Sequence, residues 1–322
     1  MPLTVDSPVE KYNGAVREIT IGATKEQGGT RSKTVTVGGA KTLPFLKFEG
    51  AMPHPPVIAI EVQDRAPSDW SEILLKAWGD VVQDPVTWAK AVEAKGADLI
   101  LLKLNATLAD GSKNTADHAK KVVRAVLNAT GLPLMVFGPG QAEIDNELMV
   151  AVAEEAKGER LVLGVCEDKN YRTIVAAAMA NEQLVDSRTP MDVNLAKQLV
   201  ILIHDMGMPL ERIVMDPTTG ALGYGIEYGY SVMERLRLAA LQGDTMTQSP
   251  MLVTPGEEAW RVKETKVSEG IPATWGNFEE RAINWETLTA SALVESGADV
   301  LVMRHPEAVV RIKKMIDALM EK

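Results

Sequence analysis

The residues best equipped for chemistry come in short polar groups, each directly after an apolar run. They are Asp64, Asn105, Gly138-Pro139-Gly140, Cys166-Glu167-Asp168, Asp186-Ser187-Arg188 with Thr189, Asp216-Pro217-Thr218-Thr219-Gly220, Thr254-Pro255-Gly256 and Arg304-His305. Carboxylates, amides and hydroxyls of this kind can hydrogen-bond an amide-rich ring, such as a pterin or a corrinoid side chain. They do not compose a recognisable nucleophile, metal or acid–base set. The four histidines, at positions 54, 118, 204 and 305, never show the i, i+4 spacing of a helical metal site. His118 and His204 fall in helical stretches, where a solvated or capping role suffices. Cys166 is the single cysteine. By itself the chain therefore supplies neither a disulfide nor the several thiolates of a structural zinc or iron–sulfur site. Asp186 and Asp216 can equally be helix caps or ion-pair partners, with Arg188 near enough in sequence to pair with Asp186.

The stretch IVMDPTTGALGYGIEYGY, from Ile213 to Tyr230, reads as a strand, a glycine-studded turn and a helix. Gly223, Gly225 and Gly229 spell GxGxxxG rather than GxGxxG, too late in the chain for a dinucleotide fold. Glycines here let the backbone approach something flat or bulky, with Thr218, Thr219 and Tyr224 beside it. They can also simply relieve a tight turn ahead of the helix, and both readings stand at this level.

These groups need a scaffold that brings strand ends together. From Val57 onward eight apolar runs, VIAIEV, DLILLKL, LPLMVF, LVLGVC, LVDS, IVMD, SPMLVT and VLVM, alternate with helical stretches. Runs without polar alternation suit parallel strands buried on both faces. Helix punctuation agrees: Asp84-Pro85 opens one helix and Gly96 follows it, Gly158, Gly207, Gly243 and Gly297 follow others, and Pro306 opens the last. Eight such units predict a (β/α)8 barrel over residues 57–322, with function at the carboxyl ends of its strands. The seventh strand, within TMTQSPMLVTPG, can be cut in two ways. A doubly wound sheet would place GxGxxG after the first strand, where EVQDRAPSD stands instead. Ahead of the barrel, residues 1–56 contain EITIG and TVTVGG around KEQGGTRSK, which predicts a β-hairpin extension plugging the amino-terminal end of the barrel.

Composition limits the partners. With 34 basic against 44 acidic residues the net charge is −10, which argues against nucleic-acid or anionic-membrane surfaces. The opening MPLTVDSPVEKYNG lacks a secretory pattern and no apolar run reaches membrane-spanning length, so a cytoplasmic, soluble protein is expected. Two long loops break the rhythm. One sets Trp70, Ile73, Leu74, Ala77 and Trp78 on a helical face, for which packing on its own barrel is favoured over a partner; the other, Thr254 to Glu280, carries Trp260 and Trp275.

The runs AIEVQD, LLKLNAT, VFGPG, LVDSRTPMDVNLAKQL and MDPTTGALGYGIEYGYSVMERLRLAAL resemble the small subunit of the corrinoid iron–sulfur protein, the delta subunit family of acetyl-CoA decarbonylase/synthase. The resemblance extends over essentially the whole chain. It implies a heterodimer in which a large subunit carries a 4Fe-4S cluster and a corrinoid domain, with the corrinoid held against the mouth of this barrel. It further implies methyl relay in the reductive acetyl-CoA (Wood–Ljungdahl) pathway: a methyl group is accepted from a methyltetrahydrofolate:corrinoid methyltransferase and delivered to acetyl-CoA synthase. This chain would shield the cobalt rather than make bonds. Carried over onto this sequence, the corrinoid-facing positions are Asn105, Gly138, Gly140, Asp186, Ser187, Arg188, Thr189, Asp216, Thr218, Thr219, Gly220 and Tyr224. A second possibility is a stand-alone pterin-dependent methyltransferase, with Asn105 and the strand-end aspartates on the pterin and Asp64 or Asp186 assisting protonation. A phosphate-binding barrel is weaker, since the segments around Thr254 and Arg304 lack glycine-rich nests.

Overall fold

The computed structural model describes residues 8–321; residues 1–7, part of the stretch scanned for a leader, and residue 322 lie outside it. Two short strands, β1 (Ile19–Ile21) and β2 (Val35–Val37), pair antiparallel as the expected hairpin. Its connection turns through Thr24, whose backbone N–H donates to Gln27 Oε1 at 2.9 Å, a capping box that closes one helical turn.

Eight parallel strands then close into a barrel, each of the eight apolar runs supplying one. They are β3 (Val57–Gln63), β4 (Leu99–Lys103), β5 (Leu134–Phe137), β6 (Val162–Cys166), β7 (Leu184–Arg188), β8 (Ile213–Asp216), β9 (Met251–Val253) and β10 (Ala298–Met303), with β10 returning to pair with β3. Between them run α1 (Glu72–Trp78), α2 (Pro85–Ala94), α3 (Ala116–Ala129), α4 (Ala142–Glu155), α5 (Tyr171–Ala180), α6 (Val193–Asp205), α7 (Glu227–Leu241), α8 (Pro255–Ala259) and α9 (Phe278–Glu295), and α10 (Pro306–Glu321) closes the chain. The ambiguous seventh barrel strand is thus Met251–Val253. Punctuation holds where it was read. Asp84 accepts the Thr87 N–H at 2.8 Å, and Gly96, Gly158, Gly207, Gly243 and Gly297 all take positive φ after their helices.

Every strand residue of β3 is buried, because alternate side chains enter two different cores. Ile58, Ile60 and Val62 join the outer core under the helices. Val57 and Ala59 join an inner core with Leu99, Leu101, Met135, Phe137, Val162, Leu184, Val214, Leu252, Val300 and Val302. Ile19, Ile21, Val35 and Val37 of the hairpin belong to that same inner core, so the hairpin stoppers the barrel from the amino-terminal end. Each such side chain withdrawn from water stabilises the fold by about 1.5–3 kcal/mol.

The tryptophan-bearing loop packs on its own barrel. Trp70 meets Trp88 edge to face with centroids 5.2 Å apart, and Trp78 donates from Nε1 to Arg304 O at 2.9 Å. Trp70 itself precedes the helix, since Ser71 caps α1 and the helix starts at Glu72. In the second loop Trp260 is buried, stacked on His305 at 5.8 Å and hydrogen-bonded to Glu286, while Trp275 is 47% exposed against Trp285. Among the described residues, no helix is long and apolar enough to cross a membrane.

Candidate functional site

Continuing the strand alternation past the inner core brings polar side chains to the barrel mouth. Glu61 and Gln63 follow Ala59, Lys103 follows Leu101, Asp186 and Arg188 follow Leu184, and Asp216 follows Val214. Two adjoining cavities open there. The smaller, about 290 Å³, is lined by Leu101, Lys103, Phe137, the Gly138-Pro139-Gly140 backbone, Thr254 and Glu257, among others. The larger, about 700 Å³, runs from Thr189 and Pro190 along Leu195, Leu199 and Leu202 of α6. Glu167, Arg188 and Thr218 belong to both.

Arg188 is the hinge between the cavities. Its Nε donates to Asp216 Oδ2 at 2.7 Å, and its Cζ lies 5.7 Å from the Phe137 ring centroid. Asp216 is fully buried and also accepts the Thr218 N–H at 2.8 Å, while the Thr218 hydroxyl donates to Thr189 O at 2.6 Å. These bonds hold Thr218 at φ +60°, a left-handed conformation that a β-branched residue adopts only when its surroundings over-determine it. Arg188 therefore pairs with Asp216 rather than with Asp186, the neighbour in sequence.

Of the other positions read from sequence, Gly138, Gly140, Thr189 and Thr219 line the cavities, with Thr219 Oγ1 accepting the Thr254 N–H at 2.9 Å. Asp186 and Ser187 are fully buried and line neither. Burial first, then the charge of Asp216, pushes the Asp186 carboxyl well above its ordinary range. Asn105 is spent internally: its Nδ2 donates to Asp64 Oδ1 at 2.8 Å and to Gln63 Oε1 at 3.3 Å, and Asn114 donates to the other Asp64 oxygen at 2.7 Å. Gly220 sits against Met191, and Tyr224, 90% exposed, stands outside both cavities. Sequence reading missed Lys103, Glu257 and Arg261. Burial would raise the Glu257 carboxyl, but Lys103 at 2.9 Å, Arg304 and Arg261 outweigh it and hold it at about 2. The parity of Leu99, Leu101 and Lys103 was the available signal for the first of these.

The glycine segment has a specific reason. A Cβ on Gly138 would lie 2.1 Å from Asp145 Oδ1, so the loop after β5 lies directly on that buried carboxyl, and Gly140 N–H donates to it at 3.3 Å. Burial first, with a contribution from Glu167, raises Asp145 from 3.8 to about 7. The folded state then holds the proton more tightly than the unfolded chain. That stabilisation is complete below the ordinary value near 4 and is lost as pH rises through about 7. Between pH 5 and pH 8, wild type is expected to lose on the order of 2–4 kcal/mol relative to Asp145→Asn, which keeps the acceptor for Gly140. Urea midpoints of both proteins at the two pH values check this, and parallel pH slopes would refute it.

Comparisons with known proteins give one family by sequence and a different set of proteins by barrel architecture. The family described as CO dehydrogenase/acetyl-CoA synthase delta subunit matches residues 18–316. The acetyl-CoA decarbonylase/synthase complex subunit delta of Archaeoglobus fulgidus is 40% identical over 322 residues, covering 96% of this chain and 70% of that protein. Its namesake from Methanopyrus kandleri is 37% identical, covering 96% and 76%. Among solved structures, dihydropteroate synthase of Xanthomonas albilineans superposes with a TM-score of 0.56 at 15% identity, covering 83% of this chain and 94% of that one. The Thermus thermophilus dihydropteroate synthase gives 0.54 at 15% identity, covering 82% and 94%. At such identities the likeness is one of barrel architecture alone.

Proposed function

The chain belongs to the CO dehydrogenase/acetyl-CoA synthase delta subunit family, and from that premise we propose that it is the small subunit of a corrinoid iron–sulfur methyl carrier whose barrel mouth covers a corrinoid held by a larger partner. The observation that carries this reading is the pair of adjoining cavities at the carboxyl ends of the strands, joined by Arg188 and Thr218. Their lining suits an amide-fringed disc. Thr254 presents a hydroxyl that can donate and accept, the Thr218 hydroxyl can accept while donating to Thr189 O, Arg188 donates, Glu167 accepts, and Leu195, Leu199 and Leu202 offer an apolar wall. The bare Gly138-Pro139-Gly140 backbone leaves room for close approach.

When bound, a corrinoid would supply the cobalt that takes up and passes on a methyl group. The work of this chain is to hold and to shield. Arg188 is held in place by Asp216 before anything binds, so little side-chain entropy is lost when its remaining N–H groups engage an amide carbonyl. Leu195, 43% exposed in this chain, would be covered on docking, with water expelled from the α6 wall. The methyltetrahydrofolate:corrinoid methyltransferase and acetyl-CoA synthase are the partners this reading requires, the first as methyl donor and the second as acceptor.

A stand-alone pterin methyltransferase would need Asn105 and Asp186 free at an open slot. Against it stand the engagement of Asn105 by Asp64 and Gln63 and the complete burial of Asp186. Anaerobic affinity purification of the chain from its native extract tests the proposal. A larger, cysteine-rich partner that carries corrinoid and iron–sulfur absorption is expected. A colourless, solitary chain that binds methyltetrahydrofolate would overturn it.

A further inference from the structure

We propose that the chain carries a second binding site, for a phosphate-type dianion, at the end of the barrel opposite the mouth, where Arg160 and Arg212 line a cavity shared with the amino-terminal hairpin. The cavity measures about 390 Å³ and is lined by Thr20, Gln27, Gly158, Arg160, Glu182 and Arg212. Thr20 and Gln27 come from β1 and the hairpin connection, whereas Arg160, Glu182 and Arg212 stand just ahead of β6, β7 and β8. The inference uses no residue of the mouth and does not depend on the corrinoid reading.

The two guanidiniums are positioned but not neutralised. Among the described residues, every bond that either makes goes to a backbone carbonyl. Arg160 Nη2 donates to Thr20 O at 3.2 Å; Arg212 donates from Nε to Gln183 O at 2.8 Å and from Nη2 to Ala178 O at 2.7 Å and again to Gln183 O. Carbonyl partners fix each plane without cancelling its charge. Burial first, then the charge of Arg160, holds Arg212 below its ordinary pKa, and the opposing pull of Glu182 ranks behind both. Two cations repelling each other run against the electrostatics of a chain whose net charge is −10. The backbone is also bent to place this lining. Arg160 and Glu182 have φ of +53° and +61°. Glu182 follows α5 where Gly96, Gly158, Gly207, Gly243 and Gly297 follow other helices, so a side chain stands here in a conformation that favours glycine.

The donors left over specify the ligand. Arg160 keeps Nε and Nη1 and Arg212 keeps Nη1. Gln27 Oε1 already accepts from the Thr24 N–H and hydroxyl, so its amide nitrogen is the end that remains. Donors from three side chains, two of them guanidinium forks, suit an oxyanion with several acceptor oxygens and more than one charge, a phosphate rather than a carboxylate. The lining holds no apolar or aromatic side chain among the described residues, which leaves a nucleobase nothing to stack on. The occupant is therefore inorganic phosphate or the phosphate end of a small polar ester. Because its partners come from hairpin and barrel alike, a bound dianion ties the stopper to the strands it closes.

The test is calorimetric titration of the full chain with inorganic phosphate and with glycerol 3-phosphate, using sodium chloride of equal ionic strength as the control, and amide hydrogen exchange on the same samples. At least one of the two phosphates is expected to bind with a dissociation constant of about 10 mM or less and to slow exchange over residues 19–21, which chloride does not. Arg160→Gln and Arg212→Gln should each weaken that binding about tenfold. Glu182→Gln removes a like charge and should tighten it about two- to fivefold. An ester that binds at least about tenfold more tightly than inorganic phosphate identifies a phosphoester as the occupant, and any smaller preference identifies the free ion. The site is overturned if neither compound binds in that range, if chloride matches them, or if folded arginine variants bind as wild type does. Should both arginine variants fold poorly, Glu182→Gln decides, since its side chain is exposed and makes none of the bonds above; an affinity unchanged or lowered then counts against the site.

Discussion

Glu61→Ala should destabilise the protein by about 3–5 kcal/mol, among the largest effects available from a single polar side chain. Glu61 is fully buried inside the barrel and receives two bonds from Arg304, from Nε at 2.9 Å and Nη2 at 3.0 Å, with a third from Gln63 Nε2 at 2.8 Å. Arg304 is itself 4% exposed and lies over the Trp70 ring at 5.2 Å, while its carbonyl accepts from Trp78. Truncating Glu61 strips a buried guanidinium of both its side-chain hydrogen bonds and leaves it chiefly the more distant charge of Glu257, so the loss is mostly that of a poorly compensated buried charge rather than the net worth of the pair. The distinction is measurable. Replacing both partners by apolar residues of similar volume, Glu61→Leu with Arg304→Met, should recover most of the loss. Urea midpoints at unchanged slope report both variants. A cost below about 1 kcal/mol for Glu61→Ala would mean that water reaches Arg304 and the mouth is not sealed there.

Arg31→Ala should be comparably severe, about 3–5 kcal/mol, and its effect should be felt first at the amino-terminal hairpin. Arg31 is 3% exposed and donates to Glu159 Oε2 at 3.1 Å, Thr130 O at 2.8 Å, Leu132 O at 3.1 Å and Leu127 O at 2.6 Å. Glu159, 2% exposed, is also gripped by the Thr30 N–H at 3.1 Å and hydroxyl at 2.7 Å. One side chain thus pins the hairpin connection to the end of α3 and to the segment before β6. Without it, a carboxylate and three carbonyls lose donors in a dry place. Amide hydrogen exchange should accelerate over residues 19–21 and 35–37 before it does in the barrel strands. Uniform acceleration everywhere would show that stopper and barrel open together, and no change would show the staple to be dispensable.

The sequence announced the scaffold because its physics is local. Eight buried parallel strands must be apolar on both faces, and Asp84, Pro85 and Gly96 mark a helix by backbone geometry alone. The mouth was less legible because it depends on residues far apart in the chain. Asn105 looks available until Asp64, 41 positions earlier, takes its amide. Lys103 looks like a strand terminus until Glu257, 154 positions later, is opposite it. Arg188 had two carboxylates within reach, and only the closed barrel decides for Asp216. Trp70 was placed on a helix face because its spacing fits, yet a serine cap at Ser71 starts the helix one residue beyond it.

The bonds around Asp216 also make two loops into one mechanical part. Its carboxylate holds Arg188 from β7 and Thr218 N–H from its own loop, its carbonyl accepts the Thr189 N–H at 3.1 Å, and Thr218 reaches back to the Thr189 carbonyl. Three ties across so short a span, with the fourth bond bracing the second loop from within, leave the segments after β7 and β8 little freedom to move apart. The far end of the second segment carries Tyr224 in open solvent, and at its near end Asp216 holds the Arg188 guanidinium that walls both cavities. The wall of both cavities is thus braced by the fold itself, and Arg188 meets whatever enters the mouth as a fixed post rather than a swinging arm.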